Sequence, residues 1–244
     1  MTGHEVRAEE DGRRPTAVVT GAARGLGFHT VAALAARDYR VLCVVRDASA
    51  IARLRALGAH VYPTAGDVTD SALGEALATR VANGTLELLI HNAGIAHPPH
   101  PLCELPDEEV LSSFLTHCLG PLRLTRALLP ALHRARGATV VHVSSRWGSF
   151  AVAEHEDAPG PRHYAYRIGK AAQNMMSLCL RQELAAHSVR VVAVHPGALS
   201  TAMGAVDALD SPARAADDLM RLVLTDSRTV LPPFSHREGD PHPW

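Results

Sequence analysis

The sequence predicts an α/β fold built on one doubly wound parallel sheet with helices on both faces. Short apolar runs of strand length recur along the chain, helical stretches separate them, and a glycine-rich turn joins the first run to the first helix. No repeat, coiled coil or interdomain linker divides the 244 residues. The expectation is therefore a single domain over residues 15–244, preceded by a flexible polar tail over residues 1–14.

The first strand is residues 16–20 (TAVVT), which lead into Gly21-Ala22-Ala23-Arg24-Gly25-Leu26-Gly27 and an Ala-rich helix reaching about Arg37. Strand, glycine turn and helix are the parts of a phosphate cradle. Glycines let the backbone approach a pyrophosphate, and the helix N-terminus offers unpaired N–H groups. The second strand, residues 40–46 (RVLCVVR), ends on Arg46 with no carboxylate before Asp47. In dinucleotide folds an acidic residue there binds the ribose of NAD. Arg46 is instead placed to meet a 2′-phosphate, with Arg24 available to join it; the plainer alternative is an arginine capping the strand in solvent.

The alternation continues with a helix over about 48–57, a strand near 60–62 and the turn Gly66-Asp67-Val68-Thr69-Asp70. Thr69 or Asp70 can cap the next helix, near 71–82. The fourth strand, residues 86–91, ends in Asn92-Ala93-Gly94, and Pro98, Pro99 and Pro101 stiffen the loop that follows. Asp107 opens a long helical region that Gly120-Pro121 is expected to kink. Residues 138–145 form the fifth strand, a polar insertion fills about 150–163, and residues 188–195 form the sixth strand, ending in Pro196-Gly197. A helix near 212–224, a short strand near 228–231 and a Gly/Pro-rich tail complete the chain.

Between the fifth and sixth strands lies a helix carrying Tyr166 and Lys170, four positions apart and so on one face. A phenol has an ordinary pKa near 10, and a neighbouring cation lowers it toward the range useful for acid–base work on a carbonyl or alcohol. Lys170 is the only lysine in the chain; every other strong base is arginine. A compact ammonium is what arginine cannot supply.

A net charge of −1 argues against a general nucleic-acid binder, and no apolar run approaches bilayer-spanning length. The polar N-terminal residues lack the apolar core of a secretory signal, which points to a cytoplasmic protein with Cys43, Cys103, Cys118 and Cys179 reduced. The fifteen histidines show no HxxxH or HExxH spacing, so no metal site is expected.

Taken in order, the glycine turn, Asp67-Val68, Asn92-Ala93-Gly94, Ser144-Ser145, Tyr166/Lys170 and Pro196-Gly197-Ala198-Leu199-Ser200-Thr201 resemble the motif set of the classical short-chain dehydrogenases/reductases. Gly120-Pro121, His195-Pro196 and Pro243-Trp244 resemble the sniffer/C-signalling-factor branch of its carbonyl reductases. The resemblance implies a Rossmann-type fold, an NADP(H) cofactor and a small carbonyl or alcohol substrate, in a homodimer or homotetramer. Tyr166 would be the acid/base, Ser145 (rather than its rival Ser144) would position the substrate oxygen, and Lys170 would bind the nicotinamide ribose. The residues implied to line the cofactor site are Gly21, Ala23, Arg24, Gly25, Leu26 and Gly27, then Arg46, Asp67, Val68, Asn92, Ala93 and Gly94. Tyr166, Lys170, Pro196, Gly197, Leu199 and Thr201 complete them. Trp147, Phe150, His155 and Met203 are expected at the substrate pocket, with the 150–163 insertion at its rim.

His117 stands where the family has a catalytic asparagine, and Gly169 stands where it usually has serine. The family asparagine supplies a main-chain carbonyl to a water relay. His117 would therefore keep the relay or join it as a proton carrier; the alternative is a damaged tetrad. The Ala/Arg-rich, lysine-poor composition fits a GC-rich bacterial genome, and the resemblance then implies, by analogy with such enzymes there, a natural-product tailoring ketoreductase. A non-catalytic NADP(H)-binding regulator and a non-redox dehydratase, epimerase or cyclase on the same fold remain alternatives.

Overall fold

The computed structural model describes residues 14–155, 162–200, 210–226 and 229–244. Thr201, Met203, Glu156, Asp157 and nearly all of the expected tail lie outside the described residues.

Among the described residues, seven strands form one parallel sheet in the order β3-β2-β1-β4-β5-β6-β7. They are β1 (Thr16–Thr20), β2 (Arg40–Val45), β3 (Val61–Ala65), β4 (Leu88–His91), β5 (Thr139–Val143), β6 (Arg190–His195) and β7 (Phe234–His236). Every residue of β1, β4 and β5 is buried, because helices cover both faces; such strands read as continuous apolar runs rather than as an alternation. Successive side chains still point to opposite faces. Ala17 and Val19 join the apolar cluster under α1 (Gly25–Ala35), α2 (Ile51–Arg55) and α8 (Pro212–Val223). Val18 joins the cluster under α3 (Leu73–Val81), α5 (Gly120–Arg134) and α7 (Tyr164–Leu184). The remaining helices are α4 (Asp107–Phe114) and α6 (Phe150–Glu154).

Strand order reverses between β1 and β4, which opens a crevice at their C-terminal ends. Every loop singled out by its motif leaves that edge.

Four local expectations change. The helix expected at 48–57 is a 3-10 turn, Ala48–Ala50, followed by α2. β3 runs past Tyr62 to Ala65 and includes Pro63, which an edge strand tolerates because one side of it needs no N–H donor. The kink at Gly120-Pro121 is a π-helical turn, Leu115–Leu119, just ahead of the proline. The last strand is not at 228–231. The strand partner of β6 is Phe234–His236, paired through Ala193 with Phe234 and His195 with His236. Phe234 is fully buried and fixes that register, whereas Val230 is 84% exposed. All four cysteines are free. No helix among the described residues is long and apolar enough to cross a membrane.

Candidate active site and cofactor cleft

A cleft of about 740 Å³ runs along the C-terminal edge of the sheet. Its walls include the glycine turn from Gly21 to Gly27 except Ala22, then Arg46, Asp67, Val68 and Asn92-Ala93-Gly94. Tyr166, Lys170, Pro196, Gly197 and Leu199 also line it. The residues expected at the cofactor are thus brought together, apart from Thr201, which is not described.

The glycine turn is tight for a reason. Gly21 has φ +68°, and a Cβ there would lie 2.7 Å from Ala93 Cα. Thr20 and Asn92 lock the β1 and β4 turns together. Thr20 Oγ1 accepts from the Asn92 and Ala93 N–H groups, each at 3.1 Å. Asn92 Nδ2 donates to the carbonyls of Thr20 and Gly21, each at 3.0 Å. Asn92 therefore braces the cradle, and its amide N–H groups are taken up in doing so. The N-terminus of α1 opens from this turn, with its first N–H groups available to an anion.

Arg24 and Arg46 are exposed on the same cleft. Asp47, the nearest carboxylate to the end of β2, accepts from Ser49 N–H at 2.8 Å and caps the following turn. Hydrogen bonds from the Ser49 side chain and, secondarily, its N–H hold the Asp47 carboxyl below the usual range. The β2 end of the cleft thus offers two guanidinium groups, with the Asp47 carboxylate already engaged, which fits a dinucleotide carrying an extra phosphate. Asp67 folds onto its own turn, where Oδ1 accepts from Thr69 N and Thr69 Oγ1, each at 2.8 Å.

At the other end stand the reactive groups. Ser145 Oγ accepts from Trp147 N–H at 3.2 Å and hydrogen-bonds to Tyr166. Ser144 is buried and donates to Asn174 Oδ1 at 2.5 Å, so it faces α7. Ser144 lines the cleft with its hydroxyl bonded to α7, whereas Ser145, outside the cleft lining, stands beside the phenol. Tyr166 keeps some exposed surface, but its desolvated hydroxyl has a pKa raised above 10, with the Ser145 hydrogen bond opposing. This corrects the expected depression by Lys170. The ammonium lies 5.7 Å from the phenol ring centroid and is turned to Val143 O at 2.7 Å and Gln173 Oε1 at 3.1 Å. Burial brings Lys170 itself down to about 7.

His117 is fully buried in the π-helical turn, its ring edge-on to Tyr166 with centroids 5.5 Å apart. Ile95 N–H donates to Nε2 at 3.2 Å, so Nδ1 must carry the hydrogen it shares with Ser113 Oγ at 3.1 Å. Burial, and secondarily Lys170, holds His117 well below its ordinary pKa, so the ring is neutral. Both nitrogens are committed to anchoring, which leaves the main chain of the turn as its contribution to any relay. Gly169 faces this ring: a Cβ there would press on Ser113 Oγ and stand 3.0 Å from His117 Nδ1.

Trp147 meets Tyr166 edge-on at 5.9 Å and stacks on His163 at 4.6 Å. Phe150 and His155 are exposed and line no part of the cleft. Within the insertion, α6 is tied by Ala151 N–H to the Trp244 carbonyl at 2.8 Å, and Arg162 forms an antiparallel bridge with His100.

Sequence reading overlooked Gln173, Asn174 and Ser177, all buried on α7. Gln173 and Ser177 fall seven and eleven positions after Tyr166, on the same helix face, and that spacing is a usable signal. Arg237 was also overlooked. It donates to the Pro196 carbonyl at 2.6 Å, pairs through both Nη atoms with the Asp210 carboxylate, and reaches Asp218 at 3.1 Å. It thereby braces the Pro196-Gly197 turn, and nothing local in the sequence marks it.

The family model described as short chain dehydrogenase matches residues 15–210. The chain is 35% identical to the C-signal of Myxococcus xanthus over 173 residues, covering 69% of this chain and 99% of that protein. It superposes on the NADPH-bound carbonyl reductase from chicken fatty liver with TM-score 0.81 at 26% identity, over 95% of this chain and all of the other. The carbonyl reductase Sniffer of D. melanogaster gives TM-score 0.84 over the same 95% and 100% shares, at 23% identity, a likeness of fold alone. An oxidoreductase motif set on this fold, with each motif at the same sheet edge, places the chain in the short-chain dehydrogenase family.

Proposed function

We propose that the protein is an NADPH-dependent reductase of a ketone or aldehyde, with Tyr166 as the acid. The observation that carries this reading is the cleft itself: Arg24 and Arg46 at one end, Tyr166 and the buried Lys170 at the other, with Ser145 hydrogen-bonded to the phenol. The likeness to an NADPH-bound carbonyl reductase supports it.

The glycine turn and the N-terminus of α1 would hold the pyrophosphate, Arg24 and Arg46 the 2′-phosphate, and Lys170 the nicotinamide ribose. The bound nicotinamide supplies the hydride. Tyr166, whose raised pKa keeps its proton at neutral pH, donates it to the substrate oxygen as negative charge grows there. A phenol kept protonated suits reduction better than oxidation. Ser145, whose Oγ already accepts from Trp147 N–H, would turn its one hydrogen from the phenol to the substrate oxygen and hold that oxygen beside Tyr166. His117 keeps the π-helical turn and Ile95 in place. Assembly into a dimer or tetramer belongs to the same reading, supported by exposed Leu111 and Phe114 on α4 and Ile168 and Met175 on α7.

The test is NADPH oxidation over a panel of ketones, aldehydes and quinones, with Tyr166→Phe beside the wild type. Turnover that falls at least about a hundredfold in Tyr166→Phe, with NADPH affinity retained, is the expected result. NADPH-supported turnover unaffected by Tyr166→Phe would overturn it.

A further inference from the structure

The sheet-facing side of α7 carries polar groups where an apolar stripe would pack as well. Lys170 Nζ donates to Val143 O at 2.7 Å and to Gln173 Oε1 at 3.1 Å. An ammonium has donors only, so the Gln173 amide must present its oxygen. Gln173 is fully buried, and its main-chain carbonyl accepts from Ser177 Oγ at 2.7 Å. With that hydroxyl hydrogen engaged, His142 Nδ1 carries the hydrogen donated to Ser177 Oγ at 2.9 Å. His142 stacks on His91 with centroids 4.8 Å apart, and His91 Nε2 lies 2.8 Å from Thr125 Oγ1 on α5. The result is a polar chain from α7 across β5 and β4 to α5, inside the apolar layer beneath those helices.

Buried polar groups weigh against folding unless they are bonded, so a glutamine at this depth needs a use. Among the described residues Lys170 forms no ion pair, and the two oxygens that receive its ammonium are both neutral. The titratable groups facing it are Tyr166 on its own helix, His117 on the π-helical turn and His142 on β5, with His91 behind. Burial disfavours its charge. Among the described residues, Gln173 is the one side chain that accepts from it.

We propose that Gln173 is a positioning residue for Lys170, its amide oxygen holding the ammonium in place and in its charged form. The assignment rests on the proposed contact between Lys170 and the cofactor. Removing the oxygen destabilises the ammonium; replacing it with a carboxylate stabilises it.

The experiment is NADPH affinity by fluorescence titration from pH 6 to 10 on wild type, Gln173→Leu, Gln173→Glu and Lys170→Met. Wild-type affinity is expected to fall as pH rises and Lys170 loses its proton. In Gln173→Leu the fall moves to lower pH by about half a unit to one unit, roughly a 3- to 10-fold weaker affinity on the limb. In Gln173→Glu it moves to higher pH. Should Gln173→Leu not fold, the upward shift in Gln173→Glu carries the test alone. Superposable limbs in the glutamine variants, with a flat profile in Lys170→Met, would overturn the role of Gln173 only. A limb retained in Lys170→Met, or absent from the wild type, would overturn the cofactor contact and the role of Gln173 with it.

Discussion

A methyl group added at position 169 should change sign with the residue at 117. Glycine inside α7 is less favourable than alanine by about 0.8–1 kcal/mol of helix propensity. In the wild-type protein that gain meets a crowded neighbourhood. The new Cβ would press on Ser113 Oγ, stand 3.0 Å from His117 Nδ1 and lie 3.1 Å from the Ser113 carbonyl. Ser113 cannot swing away without giving up its hydrogen bond to His117. Overpacking of this kind costs about 1–3 kcal/mol, so Gly169→Ala should be neutral to destabilising by about 2 kcal/mol. His117→Asn removes the ring and frees the Ser113 hydroxyl. In that background Gly169→Ala should stabilise, approaching the propensity gain. Urea unfolding of the four proteins gives the cycle directly, with an expected coupling of about 1 kcal/mol or more. Additivity within about 0.4 kcal/mol would refute the reasoning, because it would mean that the ring and the missing Cβ do not share the space.

Three further outcomes are expected. Arg46→Ala should weaken NADPH binding roughly 10- to 100-fold and leave NADH binding nearly unchanged, measured by calorimetry with both cofactors. Stability should fall as pH drops below about 6.5, because burial holds His91 at about 3 while an unfolded histidine protonates near 6.5. The unfolded chain then binds the extra proton, so this one group removes about 2 kcal/mol by pH 5; urea melts across pH should lose about one proton of slope in His91→Gln. Arg237→Met should cost about 3 kcal/mol in the same melts, since it removes the partner of Asp210 and leaves Asp218, 5% exposed, with Arg221 alone.

The cleft was legible in the sequence because its parts obey local rules. A glycine turn between strand and helix, a strand end without a carboxylate, and a Tyr/Lys pair at helical spacing each announce themselves within a few residues. The structure adds that they share one sheet edge. The final strand was misplaced because a three-residue edge strand has almost no period: the stretch near 228–231 looks more strand-like than Phe-Ser-His. Only the pairing with β6 and the burial of Phe234 decide between them. His117 and Gly169 read as two separate departures from the family pattern, and their contact makes them one. The stacked histidines were invisible for another reason. His91 and His142 stand fifty-one positions apart and meet only because β4 pairs with β5.

The single lysine gives the protein a built-in chemical reporter. An amine-directed reagent finds no other side-chain target, and in the folded chain that target is 4% exposed. Once a small reagent enters the cleft, however, the amine it meets is unusually reactive, since a pKa near 7 leaves much of it uncharged at neutral pH. Labelling at Lys170, followed by mass, therefore measures how often the cleft admits a visitor, and any molecule that occupies the cleft beside Lys170 should slow it. Random lysine coupling to a surface or a dye, harmless on most proteins, would here fall on the α-amino group or inside the cleft.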